Sequence, residues 1–205
     1  MLAIIDYGVG NLFFLCRSLE KVGADVIVSQ DPAVLRQAEK LILPGVGAFG
    51  DAAEKLRASG LDRVILQEAA AGRPLLGICL GMQLLFETSE EYGEHQGLGL
   101  LRGRVVSMDG RIPASLPIPH MGWNALHFQQ PACPLFSGIQ EGDFVYFVHS
   151  YYAVDCADSL AATANYGTEL TAAVAKGNVF GCQFHPEKSG RIGLQILKAF
   201  CDLEV

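Results

Sequence analysis

A cysteine held between two glycines is the first candidate for chemistry in this chain. The apolar run at residues 74–78 stops at Gly77-Ile78-Cys79-Leu80-Gly81, and apolar residues then recur at helical spacing. Gly-x-Cys-x-Gly between a strand and a helix is the cysteine form of the nucleophile elbow, whose glycines leave room for a sharp turn. The turn lifts the sulfur over the start of the helix, where the dipole and free N–H groups favour a thiolate. The alternative is a buried structural cysteine in a glycine-flanked turn.

A histidine and a carboxylate near the carboxyl terminus are the second candidate. In Gln183-Phe184-His185-Pro186-Glu187, strand alternation would place His185 and Glu187 on the same side, with Pro186 restricting the backbone between them. A cysteine nucleophile needs a base that takes the thiol proton and a carboxylate that fixes the imidazole. The sequence therefore predicts a triad of Cys79, His185 and Glu187.

Another base and a metal site are the competing interpretations. His149, at the end of the strand-like run 144–148, is the rival base, but no acid follows it at the spacing of Glu187. Cys182 and His185 resemble half of a metal site, yet no second pair at suitable spacing is present, so we predict no metal and no cofactor. The other histidines are expected to be surface or packing residues: His95, His120 and His127.

The elements that must position these residues alternate in the first half of the chain. Asn11 suits a helix N-cap and Gly23 a helix stop. Alternating strands and helices indicate a parallel α/β sheet, which binds ligands at the carboxyl ends of its strands. Strands are predicted at 2–5, 25–29, 41–43 and 75–78, and helices at 12–21, from 31 onward, at 48–58 and at 61–71.

The second half of the chain has a different pattern. A glycine- and acid-rich loop at 90–99 and a proline-bounded loop around 120–124 precede several strand-like runs, and a helix from 192 to about 201 closes the chain. No repeat, low-complexity tract or linker separates the two halves, so we predict one domain over 1–205. The strand-like runs are 144–148, 160–165, 171–175 and 179–184.

Two glycine turns lie where the predicted strands end. Gly8-Val9-Gly10 lacks the third glycine of a dinucleotide fingerprint, because Phe13 stands at that position. Gly45-Val46-Gly47 lacks the Gly-Lys-Ser/Thr of a Walker motif, which excludes that nucleotide chemistry. The second turn offers flexible backbone N–H groups near the carboxyl edge of the sheet.

Composition bounds the class of protein. Half of the 205 residues are hydrophobic and 18% are charged, enough for a substantial core, and a net charge of −7 argues against a nucleic-acid surface. No window is long and apolar enough for a membrane span, and the amino terminus carries no signal-peptide pattern. Six cysteines form no C-x-x-C pair, so we expect reduced thiols in a cytoplasmic protein with no membrane partner.

Several motifs together resemble one enzyme family. Gly-Ile-Cys-Leu-Gly-Met-Gln and Gln-Phe-His-Pro-Glu-Lys-Ser resemble the triad-type (class I) glutamine amidotransferases. The resemblance spans nearly the whole chain and implies a flavodoxin-like fold, an open, mostly parallel twisted sheet flanked by helices, with an extra β-rich portion in the second half. Four more stretches are similar to the glutaminase subunits of imidazole glycerol phosphate synthases: 6–11, 43–49, 119–124 and 146–152.

The resemblance implies roles for particular residues. Cys79 would attack the glutamine side-chain amide, His185 would carry the proton to the departing ammonia, and Glu187 would orient His185. The oxyanion would be held by the N–H of Leu80 and by an N–H of Gly45 or Val46. The α-amino and α-carboxylate groups of L-glutamine would be bound by Gln83, Ser150 and Tyr151.

The resemblance also implies a partner. The ammonia would pass to a separate (β/α)8-barrel cyclase subunit in a heterodimer, and that subunit would make imidazole glycerol phosphate and aminoimidazole carboxamide ribotide in histidine biosynthesis. Separate chains follow from the length, since 205 residues cannot also hold a barrel of roughly 250. Trp123 is either a core anchor or an interface residue, and we favour the interface. The predicted contact residues are Asn11, Met121, Trp123 and Asn124.

Two other functions compete with this one. The chain could serve another synthase, such as that for anthranilate, aminodeoxychorismate or pyridoxal phosphate, although His120-Met121-Gly122-Trp123-Asn124 argues against it. It could also be an inactive scaffold that only docks on a partner. The intact set of Cys79, His185 and Glu187 argues against a scaffold.

Overall fold

Strands and helices alternate through the first 83 residues. The computed structural model describes residues 1–204 of the chain. The elements are β1 (Leu2–Ile5), α1 (Leu12–Lys21), β2 (Val26–Ser29), α2 (Pro32–Gln37), β3 (Lys40–Leu43), α3 (Phe49–Ser59), α4 (Leu61–Ala70), β4 (Leu75–Ile78) and α5 (Leu80–Gln83).

The remainder of the chain is dominated by strands. Two single turns of 3-10 helix lie at Pro134–Phe136 and Pro186–Lys188. The other elements are β5 (Thr88–Ser89), β6 (His95–Gln96), β7 (Arg104–Ser107), β8 (His120–Ala125), β9 (His127–Phe128), β10 (Phe144–His149), β11 (Tyr151–Val154), β12 (Leu160–Asn165), β13 (Glu169–Lys176), β14 (Val179–Cys182) and α6 (Gly190–Cys201).

One large sheet carries the fold. Its strand order is β2-β1-β3-β4-β14-β13-β12-β9, in which the first five strands are parallel and the last three antiparallel. Two smaller sheets stand beside it, β10-β8 and β11-β7-β5-β6. The predicted fold class, a mostly parallel sheet flanked by helices with an added β-rich portion, is confirmed.

Helices cover both faces of this sheet. Along β1, for example, Ile5 packs with α2, α3 and α4 in one buried cluster, while Ile4 packs with α1 and α6 in another. This division follows from the strand period of two, which sends successive side chains to opposite faces. None of the helices in the described part of the chain is long and apolar enough to cross a bilayer.

Local signals set some of the helix ends. Asp31 accepts a hydrogen bond from the Ala33 N–H at 2.8 Å and so caps α2. Gly23 follows α1 with φ +87°, in the left-handed region that ends helices. Asn11 stands at the predicted N-cap of α1, but its side chain makes no capping hydrogen bond.

The helix after Cys79 is much shorter than its apolar spacing predicts. We expected a helix through residue 86, and α5 ends at Gln83. Beyond Gln83 the hydrogen bonds run to the third residue back, since Leu85 N–H donates to the Met82 carbonyl and Phe86 N–H to that of Gln83. The chain therefore continues as turns, and the Leu84 and Leu85 carbonyls accept from the N–H groups of Leu98 and Leu101 in the loop at 97–101.

Residues 120–124 are also not the loop that we expected. They form most of β8, which pairs antiparallel with β10, so that Met121 lies opposite Val148 and Trp123 opposite Tyr146. Met121 and Trp123 alternate with polar residues, but this apolar side of the strand faces outward while His120 is buried, the reverse of the usual pattern. Further strands that the sequence did not indicate are β5, β7, β9 and β11, together with β6 inside the loop predicted at 90–99.

Candidate active site

Cys79 occupies a strained turn between β4 and α5. Its φ of 54° and ψ of −111° are uncommon for a residue with a side chain. The flanking glycines are required by close approach, since a Cβ on Gly77 would lie 2.6 Å from the Gly81 carbonyl oxygen and one on Gly81 only 1.8 Å from that of Leu43. The Cys79 N–H donates to the Cys182 carbonyl at 2.7 Å and ties the turn to β14. This is the geometry of a nucleophile elbow at the carboxyl edge of the sheet.

His185 and Glu187 meet in the turn that follows β14. His185 Nδ1 lies 2.8 Å from Glu187 Oε1, and both side chains are buried. We predicted this contact from strand alternation, but the strand ends at Cys182 and Pro186–Lys188 is a single 3-10 turn. The turn folds the carboxylate back onto the imidazole and leaves Nε2 free for another partner.

Hydrogen bonds to β10 clamp the backbone of His185. Its N–H donates to the Tyr146 carbonyl at 3.0 Å. The Ser189 hydroxyl donates to the His185 carbonyl at 2.6 Å and accepts from the Tyr146 N–H at 2.9 Å. Ser189 is buried, and these hydrogen bonds together hold the backbone of His185 against β10, the strand that also pairs with β8.

The His185 imidazole favours its charged form. Burial by itself lowers the pKa of His185, but hydrogen bonds with Cys79 and Glu187 and the charges of both groups outweigh it and raise that pKa to about 9. The second oxygen of Glu187, Oε2, is buried and has no hydrogen-bond partner among the described residues. The carboxylate therefore has His185 as its main partner, and His185 holds a proton at neutral pH.

His149, the rival base, has a very different environment. Asn124 Oδ1 accepts from the Ala125 N–H, so its amide nitrogen faces His120 Nε2 at 3.2 Å. His120 must then donate from Nδ1 to His149 Nε2 at 3.0 Å, and His149 Nδ1 donates to the Tyr151 carbonyl at 2.9 Å. Each ring nitrogen of His120 and His149 is thus assigned as either a donor or an acceptor, and all the groups in this hydrogen-bond chain are neutral.

Burial keeps both rings of this chain uncharged. It lowers the pKa of His120 to about 4 and, with the other histidines nearby, that of His149 to about 3. His120 also stacks between the rings of Phe147 and Tyr166, at centroid distances of 4.8 and 4.2 Å. His149 is therefore a structural donor. His120 is a packing residue as expected, while His127 is exposed and pairs with Glu141 at 3.0 Å.

Cys79 and His185 of the predicted triad share one cleft of about 460 Å³ with the predicted glutamine-binding residues. Gln83 is buried, and its amide nitrogen donates to the Tyr151 carbonyl and to Gln183 Oε1, each at 3.1 Å. Only its oxygen remains to accept from a ligand. The cleft is lined in part by Cys79, His185, His149, Gln83, Ser150 and Tyr151.

The predicted oxyanion donors lie beside the cysteine. Leu80 is the first residue of α5, so its N–H has no acceptor within the helix. Val46 lines the cleft, whereas Gly45 lies behind it, where a Cβ would come within 2.9 Å of the Tyr7 hydroxyl. Tyr7 donates to the Pro44 carbonyl at 2.8 Å and so anchors this loop against the elbow.

The predicted contact residues do not all point outward. Trp123 and Met121 are 55% and 61% exposed, and Asn11 is exposed, so none of the three is a core anchor. Asn124 lies on the opposite side of β8, where its amide nitrogen also donates to the Asn165 carbonyl at 2.8 Å. Phe13 and Phe14, at the start of α1, add more exposed aromatic surface.

No metal cluster competes with this site in the described residues. Among residues 1–204, no three His, Cys, Asp or Glu side chains are grouped to hold a metal ion. Cys182 is fully buried, and burial raises its thiol pKa well above the usual value. Cys182 is therefore a packing residue, and His185, considered with it as half of a metal site, is a catalytic candidate.

Some residues near the sulfur received no role from sequence reasoning. Gln183 Nε2 lies 3.8 Å from Cys79 Sγ, and burial together with the nearby Cys79 raises the pKa of Tyr7. Glu91, also on the cleft, accepts from the Phe49 N–H at 2.7 Å at the start of α3. Gln183 could have been found from the strand that precedes His185, but Tyr7 and Glu91 come from distant loops without a spacing signal.

Comparisons with known proteins agree with this geometry. The family model described as "Glutamine amidotransferase class-I" matches residues 3–202. The imidazole glycerol phosphate synthase subunit HisH of Syntrophotalea carbinolica is 53% identical over 207 residues, which cover 99% of this chain and 100% of that protein. The subunit of the same name from Sulfurimonas denitrificans is 50% identical, with coverages of 98% and 97%. The structure of PurLQS from Thermotoga maritima has a TM-score of 0.72 at 22% identity and covers 97% of this chain and 96% of its own.

Proposed function

This chain belongs to the class-I glutamine amidotransferases, and we propose that it hydrolyses glutamine with Cys79, His185 and Glu187 as its triad. Its relatives at about half identity over nearly their full length are imidazole glycerol phosphate synthase subunits. The chain is accordingly the glutaminase subunit of such a synthase and acts with a partner subunit. The observation that supports the triad best is the cysteine elbow facing the same cleft as a buried, carboxylate-bound histidine.

The first half of the reaction forms a thioester. Cys79 Sγ attacks the side-chain amide carbon of glutamine, and the carbonyl electron pair moves to the oxygen. His185, protonated on Nε2, then gives that proton to the amide nitrogen as the carbon–nitrogen bond breaks and ammonia leaves. Glu187, 2.8 Å from Nδ1, holds the ring in place and stabilises its positive charge.

The second half releases glutamate. The neutral His185 takes a proton from water, whose oxygen attacks the thioester carbon, and the sulfur leaves as a thiolate that is again paired with the imidazolium. Leu80 N–H and the peptide of Val46 hold the oxyanion in both steps. Removal of one such donor typically costs about 10²–10³ in kcat.

The glutamine α-groups bind at the other end of the cleft. Gln83 offers only its side-chain oxygen, since both of its N–H bonds have partners. That oxygen accepts from the α-ammonium group, and Ser150 and Tyr151 donate to the α-carboxylate. The assignment gives the α-ammonium group an acceptor and the α-carboxylate two donors.

The partner is a (β/α)8-barrel cyclase, which docks on the exposed aromatic and apolar surface formed by Phe13, Phe14, Met121 and Trp123 in a heterodimer. The ammonia passes to this subunit. Trp123→Ala should raise the dissociation constant of the pair by about 30-fold. Leu66→Ala, on the exposed side of α4, is the matched control and should bind as the wild type.

The deciding experiment measures two activities of the assembled synthase. Cys79→Ser should abolish glutamine-dependent synthesis and leave synthesis from added ammonia intact, because the thiol acts only in ammonia release. Cys201→Ser, at the far end of α6, should leave both activities unchanged. Loss of ammonia-dependent synthesis in Cys79→Ser would contradict the division of labour.

A docking scaffold without catalysis is the remaining alternative. A glutamine-like chloroketone should alkylate Cys79 stoichiometrically in the wild type. Failure to alkylate, with normal binding to the partner, would favour the scaffold.

A further inference from the structure

Two buried amides lie between the glutamine site and the catalytic sulfur. Gln83 and Gln183 are both buried, and Gln83 Nε2 donates to Gln183 Oε1 at 3.1 Å. Gln183 Nε2 in turn points to Cys79 Sγ at 3.8 Å, within hydrogen-bond reach of a sulfur atom. Neither the triad nor the glutamine contacts give Gln183 a task.

The orientation of both amides is determined by their partners. The Tyr151 carbonyl can only accept, so Gln83 must present its NH₂ group there, at 3.1 Å. The second N–H of the same group meets Gln183, which must therefore offer its oxygen to Gln83. The Gln183 NH₂ group is left facing Cys79, and no exchange of nitrogen and oxygen satisfies the same contacts.

The backbone holds this side chain beside the nucleophile. In the parallel pairing of β4 with β14, the last residues Ile78 and Cys182 lie opposite each other, so Cys79 and Gln183 are the residues that directly follow the two strands. The Cys79 N–H donates to the Cys182 carbonyl, and the Gln183 N–H donates to the Ala172 carbonyl at 2.8 Å on the next strand. Gln183 is therefore placed by the sheet, not by a mobile loop.

We propose that Gln183 is a further catalytic residue, which donates an N–H hydrogen bond to the Cys79 sulfur and is aimed by Gln83. The proposal rests on the glutaminase function above and deepens it. The donor stabilises the sulfur when it carries negative charge, before it attacks the amide and again when it leaves the thioester. A hydrogen bond to a charged atom in a dry site is stronger than one between neutral groups.

Two substitutions at Gln183 test the donor. Gln183→Met keeps the length of the side chain and removes the N–H, while Gln183→Glu keeps the oxygen that Gln83 needs and also removes the N–H. In the assembled synthase, each should lower the glutaminase kcat by about 10-fold or more and change KM by less than about twofold. Iodoacetamide, which carries no glutamine groups, should alkylate Cys79 more slowly in both variants, as followed on the Cys79 peptide by mass spectrometry.

A matched control separates the donor from general packing. Gln130 is a partly buried glutamine whose amide nitrogen donates to the Leu160 carbonyl at 3.1 Å, away from the cleft. Gln130→Met should retain the wild-type kcat, KM and alkylation rate. Synthesis from added ammonia should remain intact in all three variants.

The possible results separate the donor role of Gln183 from the proposed glutaminase function. Both Gln183 variants within twofold of the wild type in kcat and in alkylation rate would overturn the donor role. A loss confined to KM, with unchanged alkylation, would also overturn it and make Gln183 a residue that shapes the glutamine site. No glutaminase activity in the wild-type complex would defeat the proposed function itself, whatever the variants do.

Discussion

His185 and His149 line the same cleft, yet their hydrogen-bond partners differ completely. His185 lies against a buried carboxylate and the Cys79 thiol, and its pKa is raised to about 9. His149 lies between a neutral histidine and a backbone carbonyl, and burial lowers its pKa to about 3. The same side chain thus favours its protonated form in one position and is a fixed neutral donor in the other.

The difference shows that proximity to the nucleophile does not make a base. Burial acts on both rings and disfavours the charged form, so only a compensating negative charge can hold a proton on the imidazole. Cys79 and Glu187 supply that charge at His185, and no carboxylate stands in the hydrogen-bond chain of Asn124, His120, His149 and Tyr151. Substitutions that remove these partners test whether they set the charge of each histidine.

Removal of the charged histidine should have the largest effect. His185→Ala should lower the glutaminase kcat by at least about 10⁴-fold, because the leaving ammonia loses its proton donor. His127→Ala is the matched control, since His127 also pairs with a glutamate but on the surface. Steady-state assays of the assembled synthase measure both variants, and a loss of less than tenfold in His185→Ala would contradict the triad.

Removal of the compensating charge should have the next largest effect. Glu187→Gln should lower kcat by about 10²-fold, less than His185→Ala, because the ring stays in place and Cys79 still interacts with it. Loss of the carboxylate lowers the pKa of His185 from about 9 toward its usual value, so the alkaline limb of the pH–rate profile should move to lower pH. An alkaline limb at the wild-type position would show that Glu187 does not set the charge of His185. Glu141→Gln serves as the surface control.

Changes at His149 should be milder and should appear in a different constant. His149→Phe removes the donor to the Tyr151 carbonyl, and we expect about a tenfold loss in kcat/KM, mainly through KM, since Tyr151 borders the glutamine site. His149→Asn can still donate to that carbonyl and should recover part of the loss. A kcat loss comparable to that of His185→Ala would make His149 a base after all.

The smallest expected effect is on stability. The folded pKa values of His149 and His120, about 3 and 4, lie below the unfolded value near 6.5, so their contribution is present above pH 6.5 and is lost as the pH falls. The pKa of His185 is raised, so its contribution is full below pH 6.5 and is lost as the pH rises toward 9. Urea unfolding at pH 6.5 and pH 5 should show a loss for the wild type that exceeds the loss for His149→Phe by up to about 2 kcal/mol. Equal losses would show that His149 does not titrate on unfolding.

The sequence predicts the regular part of this protein well. Strands such as β1 and β4 are short apolar runs between turn residues, and their alternation with helices determines a parallel sheet. Gly77 and Gly81 mark the elbow because no other residue fits there. Chemistry that depends on local spacing, such as the contact between His185 and Glu187, is likewise readable from the chain.

Features that depend on distant backbone partners are not readable in this way. The loop at 97–101 donates to the Leu84 and Leu85 carbonyls just beyond the early end of α5, and β8 exists because β10 pairs with it. The neutral state of His149 depends on His120, 29 residues away, and on the rings that bury both. The partner of Gln183 is Cys79, 104 residues away, and only the register of β4 with β14 brings them together.

The most direct test is the protonation state of the two histidines, measured by ¹⁵N NMR of the folded chain across pH 5 to 10. We expect His185 to be protonated on both ring nitrogens at pH 7 and to titrate near pH 9, while His149 remains neutral, with its proton on Nδ1, down to pH 5. A His185 that is neutral at pH 7, or a His149 that titrates near 6.5, would contradict this expectation.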